Sequence, residues 1–434
     1  MKYLYNCSIR AFSLAIALAA PFHRKARLLW RGRRGLLRRI ERTEAAASSV
    51  GGGLQTIWVH CASLGEFEQG RPLIEAIRTK HPVGTPDYRR IVLTFYSPSG
   101  YEIRKDYPLA DAIYYLPADT PRNARRFVAA VRPEQAVFVK YEYWYNYLSA
   151  LRDFGAKSCV VSAIFRPDTV FFRKNAMGRF MRRTIGLLDR FFVQNDDSAR
   201  LLGSIGFGPE RVTVSGDTRF DRVVALADSA AAREMPWVEA FVEGVQEPVM
   251  VCGSTWGPDE EILLELMHAR PEMKFIVAPH ELDSARIDAL IARSGRKGVR
   301  YTSLADLSET TAATELRKAT LLVIDTIGIL SGVYRYGQLA YIGGGFGRGI
   351  HNTLEAATWG MPVLFGPKYE AFAEAVELVA LGAAASVSGA EELKATVAAW
   401  VDDPETLRRR GGSAGEYVRS RAGATRKILD ALGM

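Results

Sequence analysis

The sequence predicts an α/β protein in which two doubly wound domains follow one another along the chain and face a central cleft. Two observations predict this class. First, 434 residues exceed what one ordinary hydrophobic core organises, so two domains of roughly 200 residues each are expected. Second, apolar runs rich in β-branched and aromatic residues alternate with amphipathic stretches, and this rhythm occurs twice. Near-continuous apolar strands separated by helices are typical of a parallel sheet covered on both faces.

The predicted strands fall into two groups separated by residues 227–237, which carry no strand pattern and are predicted to link the halves. The runs of the first group begin at Thr56, Arg90, Ala112, Gln135, Ser158, Arg190 and Arg211. Those of the second group begin at Pro248, Lys274, Ala319, Leu339 and Pro362. We therefore expect domains at residues 54–226 and 238–434, with the C-terminal helices in the second.

The composition, 48% hydrophobic and 24% charged residues, is that of a soluble globular protein. Its four cysteines lie far apart, without the spacing of a metal site or a disulfide framework. This pattern favours a reducing compartment. The net charge of +9 arises largely from residues 24–42, which include nine Lys or Arg.

An apolar stretch at residues 11–22 precedes this basic region. It is shorter than the roughly 20 residues that span hydrocarbon, and the charges follow it, whereas in a signal peptide they come first. Residues 1–43 are therefore predicted to be a membrane-associating segment that lies on anionic head groups. A solvated basic helix or a nucleic-acid-binding arm is the alternative, although Trp30 is the one stacking candidate for such an arm. Residues 44–53 are predicted to be a flexible joint.

Two loops after predicted strands carry chemistry, because ligands of doubly wound sheets bind at the carboxyl ends of the strands. After the first strand, Ser63, Gly65 and Glu66 stand where a helix should begin. Glu66 either caps this helix or, if it faces a cleft, acts as a general base for a hydroxyl. An ionised Glu near its reference pKa of about 4.3 is a weak base.

The second loop is the glycine-rich turn after "LAYI", which opens a predicted helix whose first turn carries Asn352, Thr353 and Glu355. Free N–H groups at a helix N-terminus suit a phosphate, and a carboxylate there suits ribose hydroxyls. The glycines match neither the dinucleotide fingerprint nor a P-loop. The loop is therefore predicted to bind a nucleotide in another way, unless it is a purely structural turn.

Together these features resemble the GT-B glycosyltransferases with two Rossmann-like domains, and more specifically the 3-deoxy-D-manno-octulosonic acid (Kdo) transferases. The resemblance extends from about residue 57 to 383 through nine collinear segments. These segments are "HCASLGEFEQGRPLI", "LTFYSPSGYE", "YLPADTPRNARRF", "VKYEYWYN", "GDTRFD", "GSTWGPDEE", "VAPHELDSAR", "VIDTIGILSGVY" and "YIGGGFGRGIHNTLEAATWGMPVLFGP".

The resemblance implies three catalytic residues. Glu66 matches the family's general base in its Ser-x-Gly-Glu motif. The position of a transition-state-stabilising Glu is occupied by Lys140, which inverts the charge, while Glu142 matches the second Glu of that motif. The position of a stabilising Lys is occupied by Arg219, which keeps the charge.

The resemblance also implies residues that bind the nucleotide of the donor CMP-Kdo. The family's Asn-x-x-Glu is retained, whereas its Met-Gly-Glu keeps only the glycine and its Arg-His pair is replaced by His-Glu. The corresponding positions are His280, Glu281, Ile327, Gly328, Ile329, Asn352, Thr353, Leu354 and Glu355.

The implied reaction is a single displacement with inversion, from CMP-Kdo to a lipid A precursor at the cytoplasmic side of the inner membrane. No bound cofactor, metal or nucleic acid is expected, since neither an Asp-x-Asp motif nor a His pair with metal-ligand spacing occurs in the sequence. The alternatives are another GT-B enzyme acting on a UDP-sugar, of the lipid-disaccharide synthase or 2-epimerase type, and a catalytically inactive sugar-nucleotide-binding protein at the membrane.

Overall fold

The computed structural model describes residues 1–50, 55–231 and 233–434, and in this part of the chain two compact domains are present. The first domain comprises Met1–Arg222 and Ala422–Met434, and the second comprises Val223–Arg421. Each contains a seven-stranded sheet whose neighbouring strands all pair in parallel. The predicted pair of doubly wound α/β domains is therefore confirmed.

Three helices precede the first sheet: α1 (Lys2–Ala19), α2 (Arg24–Arg33) and α3 (Leu36–Val50). Its strands are β1 (Thr56–Cys61), β2 (Arg90–Phe95), β3 (Ala112–Tyr115), β4 (Gln135–Val139), β5 (Lys157–Ala163), β6 (Arg190–Val193) and β7 (Val212–Val214). The helices between and after them are α4 (Leu64–Lys80), α5 (Pro98–Arg104), α6 (Pro121–Val131), α7 (Tyr145–Phe154), α8 (Ala176–Ile185), α9 (Asp196–Gly203) and α10 (Thr218–Ala231).

The second sheet follows α11 (Pro236–Val242). Its strands are β8 (Val249–Thr255), β9 (Lys274–Pro279), β10 (Gly298–Arg300), β11 (Leu321–Val323), β12 (Leu339–Ile342), β13 (Val363–Phe365) and β14 (Ala384–Ser386). The remaining helices are α12 (Gly257–Ala269), α13 (Ser284–Ser294), α14 (Glu309–Lys318), α15 (Leu330–Val333), α16 (Leu354–Thr358), α17 (Ala373–Ala380), α18 (Ala390–Val401), α19 (Pro404–Arg421) and α20 (Ala424–Leu432).

In each sheet the chain adds strands first on one side of the starting strand and then on the other. We call the place where it changes sides the strand reversal. The first sheet has the order β3-β2-β1-β4-β5-β6-β7, and the second has β10-β11-β9-β8-β12-β13-β14. The reversals lie between β1 and β4 and between β8 and β12. Ligands of doubly wound sheets bind in the crevice beyond the carboxyl ends of such neighbouring strands, so these two places are where sites are expected.

All twelve predicted strands are present, and two further strands were not predicted. The two are β10 and β14, each of three residues at a sheet edge. All three residues of β10 are only half-buried, as are two of the three in β14. β7 is equally short and exposed but was recognised from its valines, whereas the Gly-Val-Arg of β10 and the Ala-Ala-Ser of β14 contain no run of β-branched or aromatic residues.

The N-terminal segment packs partly into the first domain. Leu29, Leu36 and Ile40 of α2 and α3 belong to its hydrophobic core, whereas α1 contains no buried residue. No single described helix is long and apolar enough to cross a bilayer, but α1 and α2, bent by 117° at their junction, meet that requirement together by length and composition.

The prediction of a flexible joint at residues 44–53 is wrong for the beginning of this segment. Glu44 lies in α3, is 3% exposed, and accepts two hydrogen bonds from the Arg90 guanidinium at 2.5 and 3.0 Å. This doubly hydrogen-bonded ion pair keeps the Glu44 side chain in a fixed position. The chain is therefore helical here and is not a flexible joint. Residues 51–53 of the predicted joint lie outside the described residues.

The division of the chain differs from the expected boundaries in two ways. The predicted link, residues 227–237, is helical at both ends, and the division falls inside α10. The last helix, α20, returns to the first domain, where Ile428 and Leu429 pack in the core beside β1 and α4. Asp221 anchors its start by accepting hydrogen bonds from the Thr425 backbone N–H at 2.8 Å and hydroxyl at 2.9 Å.

Candidate functional site

Glu66 lies at the strand reversal of the first sheet, in the first turn of α4 directly after β1. The Ser63 hydroxyl caps this helix by accepting a hydrogen bond from the Glu66 N–H at 3.5 Å. Glu66 Oε2 in turn accepts a hydrogen bond from the Ala62 N–H. The backbone N–H groups of Ala62 and Ser63 therefore hold the carboxylate in place.

The surroundings of Glu66 favour its protonated form more than water does. Burial raises its pKa most, and the neighbouring carboxylate of Glu142 raises it further, whereas the Ala62 N–H and the Lys140 ammonium lower it. The result is a pKa of about 7, against an ordinary value of 4.5. Glu66 is thus a stronger base than the sequence suggested, with a pKa suited to proton transfer near neutral pH.

Glu142, in the loop after β4, is held by two aromatic side chains, His60 and Trp144. Its Oε2 lies 3.1 Å from Nε2 of the buried His60 and accepts a hydrogen bond from Trp144 Nε1 at 2.6 Å. The His60 ring is fixed from its other side, since Nδ1 lies 2.8 Å from the Thr94 hydroxyl. Trp144 stacks on Tyr96 with ring centroids 4.9 Å apart. The charge that raises the pKa of Glu66 is therefore positioned by a rigid network.

Lys140 directly follows β4 and has a left-handed backbone, with φ of +67°. This conformation is uncommon for a residue other than glycine and often marks a functional position. The next residue, Tyr141, is 47% exposed. Burial raises its pKa; Glu66 and Asp217 raise it further, whereas Arg166 and Arg219 lower it. Tyr141 therefore lies within electrostatic reach of both Glu66 and Arg219.

Arg219, at the start of α10, is oriented by Asp217. Its Nε donates to Asp217 Oδ2 at 2.8 Å and its backbone N–H donates to Oδ1 at 3.0 Å. Gln69 of α4 donates to the same Oδ1 at 2.9 Å. The Asp217 side chain is 5% exposed. The structure thus brings the three predicted catalytic residues Glu66, Lys140 and Arg219 to one edge of the first sheet.

The strand reversal of the second sheet is built around the buried carboxylate of Asp259, in the first turn of α12. Its Oδ2 accepts hydrogen bonds from the backbone N–H groups of Trp256 and Gly344, both at 2.9 Å, and its Oδ1 accepts one from the Tyr341 hydroxyl at 2.8 Å. Gly344, with φ of +96°, is the turning point of the glycine-rich loop. Asp259 therefore fixes this loop against the helix after β8.

Three aromatic rings cluster at this reversal. Trp256 and His280 stack with centroids 4.4 Å apart, and His280 and His351 stack at 4.5 Å. Trp256 Nε1 donates to His351 Nε2 at 3.0 Å, so that nitrogen is unprotonated. Burial and the neighbouring His280 lower the pKa of His351, while Asp259 opposes the shift. The cluster offers a flat, partly exposed aromatic surface suited to a nucleobase.

The Asn352–Glu355 segment follows His351 and forms its own network. Asn352 Nδ2 donates to Glu355 Oε1 at 3.0 Å, and Asn352 Oδ1 accepts from the Leu354 N–H at 3.1 Å. Thr353 is 1% exposed, and among the described residues its hydroxyl has no hydrogen-bond partner. The helix predicted here is only the five-residue α16, which begins at Leu354, so Asn352 and Thr353 precede it.

The other predicted nucleotide-binding residues lie on neighbouring loops of the second domain. Ile327 is 87% exposed, Gly328 has φ of +96°, and Ile329 precedes α15. This turn lies near α16, because Trp359 Nε1 donates to the Ser331 carbonyl of α15 at 2.7 Å. Glu281 points to solvent and pairs with Arg286 at 3.4 Å.

Several residues of these two sites were not predicted, because nothing local marks them. His60 lies in an apolar run like any residue of a buried strand. No local sequence pattern distinguished Trp144, Asp217 or His351 as functional. Asp259 carried one usable signal, its place in the first turn after β8. Among the described residues, no group of three or more His, Cys, Asp or Glu side chains could hold a metal ion.

Comparison with known proteins connects this geometry to a family. The family model for 3-deoxy-D-manno-octulosonic-acid transferase (kdotransferase) matches residues 29–222. The 3-deoxy-D-manno-octulosonic acid transferase of Bordetella pertussis is 28% identical over 87% of this chain and 86% of its own length. That of Aquifex aeolicus is 24% identical over 72% of this chain and 76% of its own length.

Solved structures support the fold. A UDP-GlcNAc 2-epimerase from Neisseria meningitidis bound to UDP-GlcNAc aligns with a TM-score of 0.59 at 14% identity, covering 87% of this chain and 99% of the other. A glycosyltransferase from Rickettsia africae aligns with a TM-score of 0.52 at 11% identity, covering 87% of this chain and 98% of the other. At such identities the likeness concerns the fold alone, and it agrees with two Rossmann-like domains of the GT-B type.

Proposed function

Since the chain belongs to the 3-deoxy-D-manno-octulosonic acid transferase family and is a glycosyltransferase, we propose that it transfers Kdo from CMP-Kdo to a lipid A precursor, lipid IVA, in lipopolysaccharide synthesis. The reaction is a single displacement that inverts the anomeric carbon and uses no metal. The observation that carries the proposal is the pKa of about 7 of Glu66, at the strand reversal where the fold places ligands.

In the proposed step Glu66 removes the proton from the attacking hydroxyl of the acceptor. The backbone N–H groups of Ala62 and Ser63 keep the carboxylate in place while it takes the proton. The acceptor oxygen then forms a bond to the anomeric carbon of Kdo as the bond from that carbon to the phosphate oxygen of CMP breaks. Proton transfer develops with the attack, which is when a base with a pKa near the working pH is most effective.

The leaving CMP and the Kdo carboxylate are anionic, so the site must supply positive charge. We assign this role to Lys140 and Arg219. The hydrogen bond from Nε to Asp217 Oδ2 orients the Arg219 guanidinium before substrate binds, so little reorganisation is needed during the reaction.

We assign donor binding to the second domain. The cluster of Trp256, His280 and His351 supplies a stacking surface for the cytosine ring, and the Asn352–Glu355 pair supplies an amide and a carboxylate for the ribose. The five-residue α16 is too short to contribute a substantial dipole, so the backbone of the glycine-rich loop is the remaining phosphate contact.

We further propose that the protein acts at the cytoplasmic side of the inner membrane. The observation in support is α1, whose large apolar residues are exposed: Leu14 is 61% and Leu18 is 68% accessible, and Phe22 just beyond the helix is 91% accessible. Arg24, Lys25 and Arg31 of α2 are also exposed. An apolar helix beside basic residues suits an anionic lipid surface.

Transfer from CMP-Kdo to lipid IVA by the purified full chain tests the proposal. Glu66→Gln should lower kcat by about a hundredfold or more, the usual contribution of a general base. Glu75→Gln, on the same helix in a surface pair with Arg71, is the matched control and should keep full activity. A chain that is inactive towards CMP-Kdo contradicts the function, whereas an active Glu66→Gln variant contradicts only the assignment of the base.

A further inference from the structure

A cavity of about 600 Å³ lies beside the N-terminal helices of the first domain, away from Glu66. Its walls are α1, the junction of α2 and α3, the loop after β3 and the start of α6. The polar residues that carry the argument are Trp30, Arg33, Arg34, Arg38, Asn123 and Arg126. The proposed transfer reaction gives this cavity no role.

The cavity is strongly cationic. Four of its lining residues are arginines, and none of the lining residues that the structure describes is a carboxylate. Glu41 balances Arg126 through two hydrogen bonds at 2.7 and 2.8 Å. Arg33, Arg34 and Arg38 therefore remain as the excess charge, and a bound anion would balance it.

Two further features of the cavity point to an anion. The cavity is lined by Gly35, Leu36 and Leu37 at the start of the 15-residue helix α3, where the first backbone N–H groups have no partner within the helix. In addition, Arg33 Nη2 is buried, and among the described residues it has no hydrogen-bond partner, although Nε donates to the Leu116 carbonyl at 3.0 Å. In the described part of the chain Arg33 has no carboxylate partner, so its positive charge is uncompensated at the cavity wall.

The same cavity has an apolar side. Ile16 of α1 and Leu37 of α3 line it, and both pack against the core of the first domain. Arg34 lies over the Trp30 ring, with the guanidinium carbon 4.8 Å from the ring centroid. A ligand with an anionic head and an apolar chain fits this combination, because α1 continues the apolar surface outward.

We propose that this cavity binds the phosphate group of a membrane amphiphile. Guanidinium groups and a helix N-terminus match phosphate oxygens in geometry and charge, and the apolar wall accommodates the adjoining chain. Arg33 also connects the cavity to the catalytic edge: its guanidinium carbon lies 4.5 Å from the Tyr96 ring centroid, and Tyr96 stacks on Trp144, which donates to Glu142. Binding of the phosphate therefore restrains the residues that position Glu142.

Flotation with phosphatidylcholine vesicles tests the proposal. One set contains phosphatidic acid, and a second contains oleate at equal surface charge, which is anionic without phosphate. The full chain should bind the phosphatidic acid vesicles more tightly. Arg34→Gln/Arg38→Gln should reduce that preference by roughly tenfold, the worth of one or two charge-assisted hydrogen bonds. Arg33 stays unchanged because its hydrogen bond to Leu116 supports the fold.

Arg24→Gln/Arg31→Gln removes the same charge from exposed positions of α2 outside the cavity and is the matched control. It should weaken binding to both vesicle sets equally and keep the preference for phosphate. Equal melting temperatures of the three proteins exclude unfolding as the cause. Equal behaviour of the two double variants, or a full chain with no preference for phosphatidic acid, overturns the proposal.

The phosphate has two sources, a bilayer phospholipid or the phosphorylated acceptor, and a second measurement separates them. In neutral detergent without phospholipid, a raised KM for lipid IVA with unchanged kcat in Arg34→Gln/Arg38→Gln identifies the acceptor, whereas an unchanged KM identifies the bilayer lipid. This measurement rests on the proposed function. The vesicle experiment does not, so a chain that fails to transfer Kdo can still pass it.

Discussion

Glu66 and Asp259 occupy the same position in the two domains, yet their carboxylates are in opposite situations. Each is the third residue of the helix that follows a strand at the reversal of its sheet. Asp259 is 1% exposed and accepts three hydrogen bonds. Glu66 is half-buried, among the described residues accepts hydrogen bonds from the backbone alone, and has a pKa raised to about 7 by burial and Glu142.

The difference shows that the position alone does not decide whether such a carboxylate is reactive. A carboxylate that is completely buried and accepts three hydrogen bonds has no oxygen accessible to a substrate, and it stabilises the fold. A carboxylate that is partly desolvated and faces a like charge is destabilised as the anion and available for proton transfer. In the proposed mechanism the first domain uses this position for chemistry, whereas the second domain uses it to fix the glycine-rich loop.

Removing the structural carboxylate should have the largest effect. Asp259→Ala leaves the buried Gly344 N–H and the Tyr341 hydroxyl without partners, so the free energy of unfolding should fall by on the order of 3 kcal/mol or more. Asp283→Ala, which removes an exposed helix cap from α13, should cost about 1 kcal/mol. Urea unfolding measures both. Equal losses in the two variants would contradict the structural role of Asp259.

Neutralising Glu66 should instead increase the free energy of unfolding. The folded state of the wild type retains a proton on Glu66 that the unfolded chain releases near its ordinary value of 4.5, so stability falls as the pH rises from there to about 7. Glu66→Gln removes this penalty and should be more stable than the wild type by on the order of 1–3 kcal/mol near pH 8. The difference should vanish near pH 4. Thermal unfolding at both pH values measures it, and a variant less stable near pH 8 contradicts the assigned electrostatics.

Removing the charges of Glu142 and Lys140 should shift the pKa of Glu66 in opposite directions. Glu142→Gln removes a charge that raises the pKa of Glu66, so the rise of kcat/KM with pH should move to lower pH. Lys140→Met removes a charge that lowers the same pKa and should move the rise to higher pH. Shifts of up to about one pH unit are expected. Midpoints that move together, or stay in place, would show that another group controls the profile.

The smallest effect is expected in the aromatic cluster of the second domain. His280→Ala removes one stacking face and should weaken CMP binding a few-fold, as expected for about 1 kcal/mol of aromatic contact. His268→Ala, at an exposed position near the end of α12, is the control and should bind CMP normally. Calorimetric titration with CMP compares them. Unchanged affinity in His280→Ala would remove the stacking role from the proposal.

The elements that the sequence predicted well are those whose signal is local. Parallel strands buried on both faces require apolar side chains in succession, which is why all the long strands were recognised. The edge strands β10 and β14 have the sequences Gly-Val-Arg and Ala-Ala-Ser, so no run of β-branched or aromatic residues marks them. The predicted joint failed at Glu44 because its partner Arg90 lies 46 residues away, and a local pattern of small residues cannot reveal a buried ion pair.

By itself the sequence determined the fold class, the alternation of strands and helices in both halves, and the places of Glu66 and the glycine-rich loop after strands. Tertiary structure alone decided that β4 lies beside β1, which brings Glu142 and Lys140 to Glu66 and raises its pKa. Only the tertiary structure places α20 in the first domain and surrounds Asp259 with hydrogen-bond donors from separate segments. The physical reason is that the alternation of buried and exposed positions can be recognised from neighbouring residues in the sequence. The electrostatics of a site, in contrast, depend on which distant strands pair.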